Sequence, residues 1–122
     1  MKANELMIGD WVMPLKKKLK SIPGKVVTID GGTGVCWIDS EDYSCLVPCS
    51  DVERIPITTE ILEKNGLLDI AHSEYYVHYD KHDEEWYFIY SGSFAEMEVS
   101  ITAVNELQHA IRLCGIDKEI VL

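Results

Sequence analysis

Long apolar segments are missing from this chain of 122 residues. No apolar run approaches the roughly 20 residues that cross a bilayer, and the opening MKANELMIGDW lacks the apolar stretch of a secretory signal. The sequence therefore predicts no membrane partner and a cytoplasmic location. Because no sign of export is present, the four cysteines are expected to be reduced thiols rather than disulfides.

Positive charge is scarce, with 11 Lys and Arg against 21 Asp and Glu and a net charge of -10. Residues 1–57 hold seven basic and eight acidic residues (-1), whereas residues 58–122 hold four and thirteen (-9). Binding to nucleic-acid phosphates depends on Lys and Arg, so direct nucleic-acid binding is not expected. The one basic run, KKKLK from Lys16 to Lys20, lies between strand signals and is interpreted as a solvated loop.

Recognisable catalytic motifs are also missing. The glycine-rich DGGTG from Asp30 to Gly34 joins two predicted strands instead of opening a helix, so it does not predict a phosphate loop. Cys45 and Cys49 are spaced too widely for a zinc knuckle, and Cys36 and Cys114 fall at predicted core positions. A nucleophilic cysteine needs a histidine beside it in space, and the sequence around the four histidines does not indicate such a pairing. We therefore predict no enzyme, no catalytic residue and no cofactor.

The stretch YVHYDKHDEEWYFIY, residues 76–90, offers the best candidate for a metal site, through His78 and His82. Residues 80–84 lie between two strand signals and have the polar composition of a hairpin loop. Side chains of consecutive strand residues point to opposite faces, so the two imidazoles converge only if the loop curls back. A zinc site also needs three or four supported ligands. We interpret the stretch as a solvated acidic turn and predict no metal ligand.

Residues 1–57 show about five short strand signals separated by polar turns. A Gly-Asp turn precedes the first strand, in IGDWVMP, and the glycine-rich segment joins KVVTID to VCWID. Two further strands are indicated within SCLVPCSDVERIPI. This spacing is typical of a small barrel and predicts an SH3-like β-barrel as the first domain.

Residues 58–122 predict a short helix, a three-stranded antiparallel meander and a C-terminal packing helix. Thr58 is the expected N-cap of the first helix, Gly66 its end, and Thr102 the N-cap of the last helix. The segment EWYFIYS is apolar on both faces and belongs at the centre of the sheet. The final EIVL is predicted to add an edge strand. The fold class is α+β, and a hydrophobic staple before the first helix predicts that both parts form one unit.

Three motifs occur along the chain in the order MKANELMIGDWV, IPITTEILEKNG and VNELQHAIRLCG. Together they resemble a family of small uncharacterised proteins from gut Bacteroides and their phages and mobile elements, in which KANEL-IG-WV, PIPLTEEIL and VHELQN recur. This chain departs from the family at Leu67, where Phe is usual, and at Ala110 to Leu113, where the helix is usually more aromatic. The resemblance implies a phage-related accessory protein and no catalytic position. The family features present here are Gly9, Trp11, Pro56, Thr58, Gly66 and Leu107.

The sequence favours a non-enzymatic protein-interaction module of phage or mobile-element origin, which binds another protein through its barrel face or an exposed sheet edge. Surface aromatics are common contact residues of small barrels, and the candidates are Trp11, Trp37 and Tyr76. An acidic decoy that mimics nucleic acid and occupies a host DNA-binding protein is the alternative. A small metal-dependent hydrolase around His78, His82 and Asp80 is the second alternative.

Overall fold

Two antiparallel sheets and a few short helices make up the protein, so the α+β class predicted from the sequence is confirmed. The chain divides into two units, Met1–Ile55 and Pro56–Leu122. The computed structural model describes residues 1–15, 22–68, 74–92 and 96–122. The basic run from Lys16 to Lys20 lies outside the described residues.

The sheet of the first unit contains five antiparallel strands in the order β4-β3-β2-β1-β5. The strands are β1 Trp11–Pro14, β2 Gly24–Asp30, β3 Val35–Asp39, β4 Ser44–Pro48 and β5 Val52–Glu53. Short 3-10 helices occupy Ala3–Glu5 and Cys49–Asp51. Within the described ranges β4 and β5 lie at opposite ends of this order and do not pair, so the small barrel expected from the strand spacing is not closed. The reason is that β5 has only two residues, and both pair with β1.

The core of the first unit lies on one side of this sheet. Val26 on β2 faces Ile38 on β3, and Cys36 on β3 faces Val47 on β4, so buried residues from neighbouring strands meet in register. The buried cluster consists of Leu6, Val12, Val26, Cys36, Ile38, Val47, Cys49 and Val52. The opposite side of the sheet therefore carries the residues that alternate with these along each strand.

The chain enters β1 through the Gly-Asp turn that the sequence predicts. Gly9 has a φ of 92°, a left-handed conformation that glycine adopts at little cost. The buried carboxylate of Asp10 accepts the backbone N–H of Met7 at 2.8 Å. The carbonyl of Met7 accepts the N–H of Asp10 at 3.1 Å, which closes the turn.

The second unit contains a three-stranded antiparallel sheet in the order β6-β7-β8, with the doubly apolar strand at its centre as predicted. The elements are α1 Thr59–Lys64, β6 Tyr75–Asp80, β7 Glu85–Ser91, β8 Glu96–Ile101 and α2 Val104–Leu113. Helix α2 packs beside β8. Fully buried side chains come from both helices and all three strands: Leu62, Val77, Phe88, Ile101, Leu107 and Ile111. Among the described residues, neither helix is long and apolar enough to span a membrane.

The ends of the two helices agree only partly with the sequence predictions. Thr58 caps α1, since its hydroxyl accepts the N–H of Ile61 at 3.2 Å, and Gly66 follows that helix with a φ of 65°. The prediction of Thr102 as the N-cap of α2 is wrong, because Ala103 occupies the cap position. The Thr102 backbone N–H and hydroxyl instead donate to the Glu106 carboxylate. The competing bond to Glu106 explains the shift by one residue.

The final segment EIVL does not form the predicted edge strand. It is held by the side chain of Asn65, whose Nδ2 donates to the carbonyls of Ile61 at 2.7 Å and Val121 at 2.8 Å. The Asn65 Oδ1 accepts the N–H of Val121 at 2.8 Å. Ile120 beside it is buried. One side chain thus supplies the hydrogen bonds that a neighbouring strand would otherwise provide.

Candidate functional site

The stretch that suggested a metal site forms a β-hairpin, with residues 81–84 as the turn between β6 and β7. Asp80 shapes this turn, because its Oδ1 accepts the N–H groups of His82 at 2.8 Å and Asp83 at 3.3 Å. His78 is partly buried on β6, whereas His82 is exposed in the turn. Within the described part of the chain, no three His, Cys, Asp or Glu side chains gather in a way that could hold a metal ion.

The first unit contains the same turn between β2 and β3. Asp30 Oδ1 accepts the N–H groups of Gly32 at 3.0 Å and Thr33 at 3.2 Å, and the bond from Thr33 contributes most to lowering the pKa of Asp30. The last turn residue is left-handed in both hairpins, with φ values of 70° at Gly34 and 55° at Glu84. Only glycine adopts this conformation without strain. Because the aspartate at the start of each turn accepts two backbone N–H groups of that turn, it has a structural role.

Carboxylates beside the second turn bind a tyrosine hydroxyl. The single hydroxyl hydrogen of Tyr87 is shared between Glu85 Oε2 and Asp83 Oδ2, each 3.1 Å from Oη. Ser100 Oγ donates to the same Glu85 oxygen at 3.2 Å. The hydrogen bond of Tyr87 to Glu85, followed by that to Asp83, raises the pKa of Tyr87 to about 12. The phenol therefore remains a hydrogen-bond donor at neutral pH and is not available as a general base.

Three thiols lie close together in the first unit. Cys36 and Cys49 belong to its buried core and Cys45 packs against that core, so the prediction of Cys36 as a core residue is confirmed. Cys114, which was also placed in the core, is only partly buried. Burial, followed by the neighbouring Cys49 thiol, raises the pKa of Cys36 to about 12. Since thiolate is the reactive form, this arrangement predicts an unreactive structural thiol.

The raised pKa of Cys36 predicts a loss of stability at alkaline pH. Above the ordinary thiol pKa of 9.0 the unfolded chain releases this proton, while the folded chain retains it up to about pH 12. The folded state then binds more protons, so the free energy of unfolding should fall by about 2 kcal/mol between pH 8 and 10.5. Urea titrations of the wild type and Cys36→Val at both pH values measure this difference. Equal losses in the two proteins would contradict the assignment.

Two of the three predicted contact residues share the outer side of the first sheet. Trp11 pairs with Lys25 across β1 and β2, and Trp37 pairs with Leu46 across β3 and β4. A register shift between Val26 and Thr28 also leaves Val27 exposed beside them. We call this surface the Trp37 face; its residues are Trp11, Lys25, Val27, Trp37 and Leu46.

The tryptophans of the Trp37 face are held by polar contacts. Trp37 Nε1 donates to Ser44 Oγ at 2.6 Å, although 40% of the Trp37 residue is exposed. The ammonium of Lys25 lies 5.0 Å from the centre of the Trp11 ring, within the range of a cation–π interaction. An aromatic ring that is fixed before binding loses less side-chain entropy when a partner covers it.

Tyr76, the third predicted contact residue, is not part of the Trp37 face. It lies on β6 of the second unit, pairs with Ile89 and is partly buried. Sequence reasoning missed Leu46 and Val27, although Leu46 is 56% exposed and Val27 is 41% exposed. A correct pairing of SCLVP with VCWID would have placed Leu46 opposite Trp37. The exposure of Val27 depends on the β-bulge, for which the sequence gives no signal.

Comparisons with protein-family models, with curated proteins and with solved structures found no match. The resemblance to the Bacteroides family and the phage or mobile-element origin therefore remain predictions.

Proposed function

We propose that the chain is a non-enzymatic protein-interaction module whose first unit binds another protein through the Trp37 face. The observation that carries this proposal is that Val27, Trp37 and Leu46, each at least 40% exposed, lie together on one side of one sheet. Adjacent exposed apolar side chains mark interaction sites more often than single ones do. Tryptophan is also among the residues that contribute most to binding energy at protein interfaces.

An SH3-like arrangement of the first unit is the finer fold that we propose with this function. Two features support it: β1 lies between β2 and the last strand, and the 3-10 helix Cys49–Asp51 directly precedes β5. Small sheets of this kind bind extended peptides through surface aromatics. The partner would then be an extended segment of another protein, and a cytoplasmic location belongs to the same proposal.

Affinity capture with matched variants tests the proposal. Wild type, Trp37→Ala and Leu46→Ser are immobilised and incubated with a bacterial lysate, and the retained proteins are quantified. Val121→Ser is the control, because Val121 is another exposed apolar residue, 46% accessible, in the second unit. A partner of the Trp37 face should be retained about tenfold less by each of the two face variants and normally by the control. Equal retention of every protein by all four baits would contradict the proposal.

The alternative of an acidic decoy depends on the charge of -9 carried by residues 58–122. Binding of that kind would weaken steeply as salt rises and would be insensitive to Leu46→Ser. Binding through the Trp37 face should depend little on salt and should be weakened by Leu46→Ser. The hydrolase alternative gains no support, since Asp80 is engaged in its turn and the described residues bring no third ligand to His78 and His82.

A further inference from the structure

A second surface in the second unit has features of a binding site. An open groove of about 270 Å³ runs between β8 and α2. Its lining includes Met97, Val99 and Ile101 from the strand, and His109, Ala110 and Leu113 from the helix. Leu113 is 80% exposed and Val99 is 36% exposed, whereas Ile101 and Ala110 are buried, so part of the apolar lining is open to solvent.

The strand beside the groove is an edge strand. Within the described ranges β8 pairs with β7 on one side only. Just beyond the end of β8, Pro56 bridges to Ala103 and the Ile57 N–H donates to the Thr102 carbonyl at 3.2 Å. The outward backbone N–H and C=O groups of β8 that precede this bridge are positioned to bind another strand. A free edge next to an apolar groove is the geometry that peptide-binding domains use when an extended segment adds to a sheet.

The side chains of β8 define the chemistry of the segment that would fit. Glu96 and Glu98 are exposed, and they alternate with Met97 and Val99 on the groove side of the strand. Opposite charges on directly paired strand residues are favourable, and like charges are unfavourable. A fitting strand therefore places Lys or Arg beside the glutamates and apolar side chains in the groove.

The same glutamates disfavour a second copy of the chain as the occupant. Antiparallel pairing of β8 with another β8 would bring the glutamates of the two copies next to one another, because residues on the same face pair with each other. Residues 58–122 already carry a net charge of -9, which adds to this repulsion. Charge complementarity thus selects a basic partner over a second copy.

We propose that the groove between β8 and α2 binds an extended protein segment with alternating basic and apolar residues, which adds to the sheet as a fourth strand along β8. This site is separate from the Trp37 face and does not depend on the function proposed for it.

Three labelled heptapeptides test this site by fluorescence anisotropy. The first alternates Lys and Val, the second has the same composition with its Lys and Val residues in two blocks, and the third is the first with N-methyl groups that prevent strand pairing. The alternating peptide should bind at least about tenfold more tightly than the other two. Equal binding of the alternating and block peptides would show attraction to the net charge alone and would overturn the proposal.

Charge reversal on β8 gives a second, independent readout. Glu98→Lys should weaken binding of the Lys-Val peptide about tenfold and strengthen binding of a Glu-Val peptide. Glu63→Lys, at an exposed position on α1, changes the net charge equally and should leave both affinities near those of the wild type. Equal effects of the two substitutions would overturn the proposal, as would a dimer in sedimentation that excludes the peptide.

Discussion

Replacing Asn65 with alanine is expected to lower the free energy of unfolding of the second unit by about 2–4 kcal/mol. The side chain is buried and makes three hydrogen bonds, two with the backbone of Val121 and one with the carbonyl of Ile61. Alanine would leave the Val121 N–H and C=O without these partners, and both bonds are partly buried, so the loss of the partners is costly although the Val121 side chain is exposed. Urea denaturation followed by circular dichroism measures the loss, and hydrogen exchange at the Val121 amide shows whether the final segment is released.

Asn105 provides the matched control for this substitution. It is also buried, but among the described residues its Oδ1 accepts no hydrogen bond. Asn105→Ala should therefore cost less than half as much as Asn65→Ala. Asn65→Asp should cost at least as much as the alanine variant, because a carboxylate would face two carbonyl oxygens. A stable Asn65→Asp protein, or equal losses in the two alanine variants, would contradict the role assigned to Asn65.

Replacing Gly24 with alanine is expected to destabilise the first unit by about 2–3 kcal/mol through overpacking. A Cβ at this position would lie 2.6 Å from Cγ2 of Ile38 and 2.7 Å from the hydroxyl oxygen of Tyr43. Ile38 is fully buried, and the Tyr43 hydroxyl donates to the carbonyl of Ile22 at 2.8 Å. Neither side chain can move without loss of packing or of that hydrogen bond.

Gly31→Ala is the control, because a Cβ there would have no atom within 4 Å. Its φ lies outside the left-handed region, so alanine should be neutral or slightly stabilising through the lower entropy of the unfolded chain. Thermal unfolding of the two variants measures the contrast. Similar melting temperatures of the two variants would contradict the prediction, because they would mean that Ile38 and Tyr43 can move away from the added methyl group without loss of stability.

The elements that the sequence predicted correctly are those determined by nearby residues. The alternation of apolar residues defined β6 and β8, the segment that is apolar on both faces defined β7, and the polar segment after Asp80 defined the hairpin turn. The errors came from interactions between distant or competing groups. Pairing of β5 with β1 alone left the barrel open, and Glu106 bound Thr102 in place of the expected cap. The hydrogen bonds between Asn65 and Val121 join residues that are 56 positions apart in the sequence, and no local pattern can indicate such a contact.

The candidate site was predictable in part for the same reason. The sequence offered Trp11, Trp37 and Tyr76 as contact candidates. The structure brings Trp11, which is partly buried, and Trp37, which is exposed, to one side of the first sheet. Leu46 was missed because a short strand such as SCLVP has the same alternation in either register, and a slip by one residue exchanges its two faces. The edge of β8 could be expected from the meander, but the groove beside it depends on how α2 packs.

The positions of the three tryptophans allow the two units to be observed separately by intrinsic fluorescence. Trp11 and Trp37 belong to the first unit, whereas Trp86 belongs to the second and lies 4.9 Å from the Tyr79 ring, measured between ring centres. A variant in which Trp37 is the single remaining tryptophan would report the unfolding of the first unit, and one that retains Trp86 alone would report the unfolding of the second unit. Coincident curves would indicate that the halves unfold together, and separate curves that each half is stable alone.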